Sequence, residues 1–198
     1  MKVVLADYGA GNVRSVVAAF GRAGADARPC TDAREVLEAP LAVIAGVGHV
    51  ASAAAGLAPV ADALRERVAR GRPTLGICVG LQLLFEESEE GGRGLGLLRG
   101  PVRRLRARRV PHMGWNALAR VRDSSLLEGL DGADAYFAHS YAVEPADEGL
   151  AVARVDHDGS LVAAVEQGAL AGVQFHPERS GPTGARFLAN ALAWSRSA

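Results

Sequence analysis

Gly71-Arg72-Pro73-Thr74-Leu75-Gly76-Ile77-Cys78-Val79-Gly80-Leu81-Gln82 is the stretch that decides the fold. A Gly/Pro break leads into the short apolar run 74–77, which reads as a buried strand. Leu81, Leu83, Leu84 and Phe85 then give a helical face, with Glu86 and Glu87 beyond it. Cys78 therefore falls on the turn from strand to helix, between Gly76 and Gly80. A tight turn of this kind lifts a side chain out of a sheet, and small neighbours let a substrate approach it, as in a nucleophile elbow. Free backbone N–H groups at the start of the helix favour negative charge on the sulfur. The competing reading is an inert buried cysteine.

Outward from this stretch, strands and helices alternate. Lys2–Ala6 reads as a first buried strand and Gly9-Ala10-Gly11-Asn12 as a turn. Val13, Val16, Val17 and Phe20 follow the spacing of an amphipathic helix. A short strand over 27–30, a helix over 33–38 capped by Thr31 or Asp32, a strand over 41–45 and a helix over 60–70 come next. This order predicts a parallel sheet with helices on both faces, with ligands at the carboxyl ends of its strands. Cys78 and Gly46-Val47-Gly48 both fall at such ends.

After Gly91-Gly92 the texture becomes strands separated by turns: 102–105, 116–121, 135–138, 141–144, 150–155, 161–166 and 169–175. This half reads as antiparallel. Phe187, Leu188, Ala191 and Leu192 mark a closing helix. With no repeat, low-complexity tract or linker, residues 1–198 are expected to form a single domain. The fold class is α/β, a flavodoxin-like mixed sheet with a parallel N-terminal part, flanking helices and antiparallel C-terminal strands.

Charge and cysteine content narrow the function. Lys+Arg 22 balance Asp+Glu 22, so net charge gives no reason to expect nucleic acid as a partner. Two cysteines, Cys30 and Cys78, make no disulfide framework and point to a reducing cytoplasm. His49, His112, His139 and His157 are scattered and lack metal-ligand spacing, so no metal is expected. The uncharged stretch 41–61 is broken by Gly46, Gly48, Gly56 and Pro59, which argues against a bilayer span. Arg103, Arg104, Arg106, Arg108 and Arg109 read as a solvated strand edge, with docking of an acidic partner second.

Three further patterns carry chemistry. In Gln174-Phe175-His176-Pro177-Glu178, residues two apart on an extended chain face one side, so His176 and Glu178 can meet at one site. An imidazole beside a nucleophile serves as general base, and a carboxylate behind it fixes the tautomer. Taken alone, this is a surface His beside a solvated Glu; with the Cys78 turn it becomes a Cys-His-Glu triad. In Ala45-Gly46-Val47-Gly48, glycines after a strand can aim N–H groups at an oxyanion, or simply make a tight turn. Pro111-His112-Met113-Gly114-Trp115-Asn116 sets a Trp and a Met beside turn residues, either in the core or at an interface.

Gly76-Ile-Cys78-Val-Gly80-Leu-Gln82 together with His176-Pro-Glu178 resembles the class I glutamine amidotransferases. Asp7–Ser15, Gly46-Val-Gly48, 88–92, Gly94-Leu-Gly96, Pro111–Asn116, His139-Ser-Tyr141 and 172–180 narrow the likeness to the glutaminase subunits of imidazole glycerol phosphate synthase, from the first strand to the last helix. The resemblance implies that Cys78 attacks the side-chain amide of L-glutamine, His176 moves the proton and Glu178 orients His176. It implies an oxyanion hole from the N–H groups of Val47 and Val79, and glutamine contacts from Gln82, His139, Ser140 and Tyr141. It also implies a heterodimer with a barrel-shaped cyclase subunit, seated on Pro111, His112, Met113, Gly114, Trp115 and Asn116. The cyclase would receive the ammonia and form imidazole glycerol phosphate and AICAR in histidine synthesis, with no cofactor and no membrane. The chain departs from the family at Ala45, where Pro is usual, and at His49-Val50-Ala51. Two other readings compete. A glutaminase subunit of another amidotransferase, such as that of pyridoxal phosphate synthesis, shares the triad but leaves Pro111–Asn116 unexplained. A non-catalytic flavodoxin-like binding module leaves His176-Pro-Glu178 to chance.

Overall fold

The alternation read from the sequence closes into one eight-stranded sheet. The computed structural model describes residues 1–9 and 12–197. Residues 10–11, the middle of the expected turn at 9–12 and of the 7–15 motif, therefore lie outside the described residues. Strands β1 (Lys2–Ala6), β2 (Asp26–Cys30), β3 (Leu41–Gly46) and β4 (Thr74–Cys78) precede β5 (Glu87–Ser88), β6 (Pro101–Arg104), β7 (His112–Ala117) and β8 (Ala119–Arg120). They are followed by β9 (Asp134–His139), β10 (Tyr141–Val143), β11 (Ala151–Asp156), β12 (Ser160–Gln167) and β13 (Leu170–Val173). The helices are α1 (Val13–Arg22), α2 (Ala33–Glu38), α3 (Val50–Leu57), α4 (Ala61–Ala69), the single turn α5 (Val79–Gln82) and α6 (Gly181–Trp194). The main sheet runs β2-β1-β3-β4-β13-β12-β11-β8, with two small sheets, β10-β6-β5 and β7-β9, beside it.

The centre of the sheet is where sequence and packing agree most closely. Every residue of β3 and β4 is buried. Strands covered on both faces need no polar alternation, which is why Leu41–Gly46 and Thr74–Cys78 read as unbroken apolar runs. On α1 the buried residues are Val13, Val16, Ala19 and Phe20, and Asp32 caps α2 by accepting the Glu35 N–H at 2.8 Å. Phe175 joins the two halves of the core, lying 6.0 Å from Phe137 on β9 and 5.2 Å from Phe187 on α6, edge to face in both pairs.

Several expectations are corrected. The helix after Cys78 is one turn, not a face running to Phe85. Leu83, Leu84 and Phe85 are fully buried, and their carbonyls accept N–H groups from Leu95, Leu97, Leu98 and Gly96 at 2.7–3.1 Å. A folded-back loop thus takes the acceptors a longer helix would use. The C-terminal half is not wholly antiparallel: β13 is antiparallel to β12 but parallel to β4. It ends at Val173 because the His176 N–H turns to the Tyr136 carbonyl on β9, 2.8 Å away. The strand expected over 116–121 is split. Leu118 leaves the ladder to exchange hydrogen bonds with the 132–133 turn, while pairing starts earlier, at His112. The arginines at 103 and 104 sit on β6, the middle strand of its sheet rather than an edge, where Arg103 pairs with Glu89 at 2.9 Å.

One buried charge was not foreseen. Arg67 on α4 is completely buried without a carboxylate partner. It donates to Thr74 Oγ1 and to the carbonyls of Val36, Leu37, Ala39 and Pro73, closing the C-terminal end of α2. Burial lowers its pKa to about 10, still well above neutrality.

The glycines flanking Cys78 are dictated by close packing. A Cβ on Gly76 would lie 2.6 Å from the Gly80 carbonyl oxygen, and one on Gly80 would drive into the Ile44 carbonyl of β3. Both obstacles are backbone and cannot rotate away. Gly80→Ala is therefore expected to destabilise the fold by about 3 kcal/mol or more. Urea titration measures this; a change below about 0.5 kcal/mol, the scale of an ordinary surface change, would contradict it.

Candidate active site

Cys78 ends β4 at φ 54°, ψ −108°, left-handed backbone that a residue with a side chain adopts only under strain. The strands on either side bring the remaining groups. Gly46 pairs with Cys78 across β3 and β4, so the 47–48 loop starts beside the sulfur. Val173 pairs with Ile77 across β13 and β4, so the segment 174–178 emerges on the other side. All three motifs thus meet at the carboxyl edge of the central strands.

His176 is buried and its backbone is clamped from both sides. Its N–H donates to the Tyr136 carbonyl at 2.8 Å, and its carbonyl accepts Ser180 Oγ at 2.7 Å. Nδ1 faces Glu178 Oε1 at 2.8 Å, and Asn12 Nδ2 donates to that same oxygen at 2.5 Å. A carboxylate oxygen accepts, so Nδ1 carries the proton and Nε2 is left for the sulfur side. Burial pulls the His176 imidazole down. The Cys78 sulfur and then the Glu178 carboxylate outweigh it and hold His176 up at about 10. Burial works against the Glu178 carboxylate as well, but the His176 contact dominates and lowers its pKa. With the Cys78 sulfur and the Glu178 carboxylate both acting on it, the imidazole is favoured as a cation.

Beside Cys78 lies a cavity of about 190 Å³ lined by Val47, Gly48, Val79, Gln82, His139, Ser140 and Tyr141, with Glu90, Pro111, Met113 and Ala138. It is smaller than a drug-sized pocket, as suits an amino acid. Every oxyanion and glutamine-contact residue named from the sequence reaches this lining except Gly46, whose place is on the adjoining strand end. A larger hollow, about 570 Å³, lies away from Cys78, among Arg103, Arg106, Arg154 and Asp158. The six-residue segment 111–116 divides. Met113 and Trp115 are 64% and 57% exposed, whereas His112 is buried and faces inward. Met113 belongs to both the cavity rim and the open surface.

A sequence model described as "Glutamine amidotransferase class-I" matches residues 4–194. The chain belongs to this family. Imidazole glycerol phosphate synthase subunit HisH of Methanothermobacter thermautotrophicus is 44% identical, over 95% of this chain and 96% of the relative. The subunit of the same name from Xylella fastidiosa is 48% identical, over 96% of each. A solved structure described as a crystal structure of glutamine amidotransferase superposes with a TM-score of 0.80 at 22% identity, covering 98% of both chains. That last likeness is one of fold, and the fold is the α/β mixed sheet expected above.

In this amidotransferase several site residues were not singled out from the sequence. Gln174 is fully buried and points Nε2 at Cys78 Sγ, 3.6 Å away. Its signal was present, because 174 shares the parity of 176 and 178. Asn12 and Ser180 hold Glu178 and His176 from distant or turn positions with no such signal. Glu90 lies in the 88–92 stretch that carries part of the likeness, but no role was assigned to it. Its Oε2 nevertheless accepts the Val50 N–H at 2.9 Å, Oε1 lies 3.1 Å from His49 Nδ1, and it is the one carboxylate in the cavity lining among the described residues. The histidines scattered in sequence also gather: His112 stacks on His157 at 4.2 Å and meets His139 at 2.9 Å. No cluster with metal-binding geometry occurs among the described residues, and no helix among them is long and apolar enough to cross a membrane.

Proposed function

We propose that this chain is the glutaminase subunit of an imidazole glycerol phosphate synthase, working as one domain over residues 1–198 in the cytoplasm. Cys78 Sγ attacks the carboxamide carbon of glutamine, and the C=O electrons move onto oxygen. The N–H groups of Val47 and Val79 hold that oxyanion at the mouth of the 47–48 loop. His176 Nε2 gives a proton to the departing amide nitrogen, the C–N bond breaks, and ammonia leaves a glutamyl thioester. Water then loses a proton to His176 and attacks the thioester, releasing glutamate and the thiolate. Glu178 holds the imidazole in the productive tautomer throughout.

Gln82, His139, Ser140 and Tyr141 frame the glutamine, and Glu90 supplies the negative charge its ammonium group needs. A cyclase subunit seated on the exposed Met113 and Trp115 would cover the cavity rim and take the ammonia before water does. It would use that ammonia to form imidazole glycerol phosphate and AICAR. The observation that supports this reading most is the His176–Glu178 pair at 2.8 Å, its imidazole held up by the Cys78 sulfur, with Cys78 itself lining an amino-acid-sized cavity. The names of the relatives at 44–48% identity point the same way.

The test is glutamate release by the purified chain, alone and with a cyclase subunit plus its ribonucleotide substrate. Gly46–Val47 is a peptide whose N–H can be turned toward or away from the oxyanion, and gaining one donor is worth about 10²–10³ in rate. A rise of about that size, with imidazole glycerol phosphate formed from glutamine, is expected. Equal rates with no product would overturn the assignment.

A further inference from the structure

A line of hydrogen bonds runs without a gap from the exposed strand β7 to the cysteine. Asn116 Nδ2 donates to the Asp156 carbonyl at 2.7 Å and faces His112 Nε2 at 3.4 Å. His112 Nδ1 meets His139 Nε2 at 2.9 Å, and His139 Nδ1 meets the Tyr141 carbonyl at 2.8 Å. Gln82 Nε2 donates to that same carbonyl at 3.0 Å and faces Gln174 Oε1 at 3.3 Å. Gln174 Nε2 completes the line at Cys78 Sγ, 3.6 Å away.

The protons on this line are fixed by elimination. A carbonyl only accepts, so His139 carries its proton on Nδ1. Burial lowers the His139 pKa to about 3, which keeps the ring neutral and leaves Nε2 bare. His112 must then donate from Nδ1. Burial and the neighbouring His157 lower its pKa to about 4, so its Nε2 is bare and can accept only from Asn116. Each link has one arrangement, and none can invert alone.

The bland explanation is that buried polar groups satisfy one another. Two features go further. His112 stacks on Phe137 at 4.6 Å, a place where a phenyl ring would serve packing equally well without needing a partner. His112 and His139 are also directly opposite in the β7-β9 ladder, so movement of β7 reaches His139 at first contact. Met113 and Trp115, on the outward side of β7, are where the partner is expected.

We propose that His112 and His139 are positioning residues that tie the Met113–Trp115 face to the Gln174 amide over Cys78, so that seating the cyclase subunit sets the sulfur for attack. This rests on the glutaminase reading above. His112 lies outside the cavity lining, whereas His139 is part of it, and its ring nitrogens are taken up by His112 and the Tyr141 carbonyl. The two imidazoles act by fixing the Tyr141 carbonyl, which anchors Gln82 and through it Gln174. A shift of β7 is transmitted because a chain of single-tautomer hydrogen bonds moves as a unit or breaks.

The test compares alkylation of Cys78 by a glutamine-mimicking chloroketone, with and without the cyclase subunit, in the wild type, His112→Phe and His112→Asn. Phe keeps the stacking and removes the link. Asn places a carboxamide N–H near the Nδ1 position. The readout is the ratio of rates with and without partner, so any change in intrinsic reactivity cancels. His112→Phe is expected to lose this stimulation by about tenfold or more, and His112→Asn to keep it within about threefold of wild type. Partner affinity, measured by calorimetry, should change by less than about threefold in both. Wild-type stimulation in both variants, or equal loss in both, would overturn the proposal. Should either variant fail to fold, ¹⁵N spectra of the native imidazoles decide it. Protons on Nδ1 of both rings are expected, and a proton on His112 Nε2 refutes the line. Failure of the glutaminase reading looks different: the wild type itself would show no Cys78 adduct or no stimulation.

Discussion

Cys78→Ala is expected to abolish glutamine hydrolysis, by about 10⁴-fold or more, while leaving the fold intact. The thioester route has no substitute nucleophile: Cys30 is buried at the far end of β2, with its sulfur turned to Glu35. The backbone at 78 adds a second, independent expectation. Ala keeps the strained φ of 54°, whereas Gly occupies such backbone freely. Cys78→Gly should therefore be more stable than Cys78→Ala by about 1 kcal/mol, the reverse of the usual order at a buried position. Both variants should be equally inactive in a coupled glutamate assay. Activity in either, or Ala more stable than Gly in urea titration, would count against the strained-nucleophile description.

Glu178→Gln is expected to lower the glutaminase rate by about 10²–10⁴, through loss of the tautomer and charge that Glu178 imposes on His176. Its stability effect should depend on pH in a definite way. His176 is raised to about 10 from 6.5, so its contribution is complete below 6.5 and is lost as pH rises through about 10. Glu178 is lowered from 4.5, so its contribution is present above 4.5 and is lost on acidification. Both act together between 4.5 and 6.5, where the stability gap between wild type and Glu178→Gln should be widest. Urea titrations across the pH range measure it. A gap that is flat from pH 4 to pH 10, or widest at the alkaline end, would show that the pair is not an ion pair.

What could be read from the sequence was what repeats locally. Unbroken apolar runs gave β3 and β4, the strand-turn-helix cue gave the position of Cys78, and two-residue parity put His176 and Glu178 on one side. The misreadings share a cause, which is competition from elsewhere in the chain. Leu83, Leu84 and Phe85 have helical spacing, but the loop 94–98 claims their carbonyls. Leu118 belongs to an apolar strand pattern, yet it pairs with the 132–133 turn. Site residues escaped for the same reason. Asn12 reaches Glu178 across 166 positions, and no local pattern carries such a contact. Arg67 drew no reading from the sequence, because the carbonyls that hold it come from the end of α2 and from Pro73. Glu90 stood in the 88–92 stretch without a role of its own, because the Val50 N–H reaches it from 40 positions away, with His49 beside it.

The whole mechanism depends on Cys78 being the sulfur that a bound glutamine meets. The most direct measurement is peptide mass spectrometry of the chain, held with its cyclase partner and treated with a glutamine-mimicking alkylator. One adduct is expected, on Cys78, and excess glutamine should slow its formation. Label on Cys30, or no label on Cys78 while the complex still consumes glutamine, would contradict it.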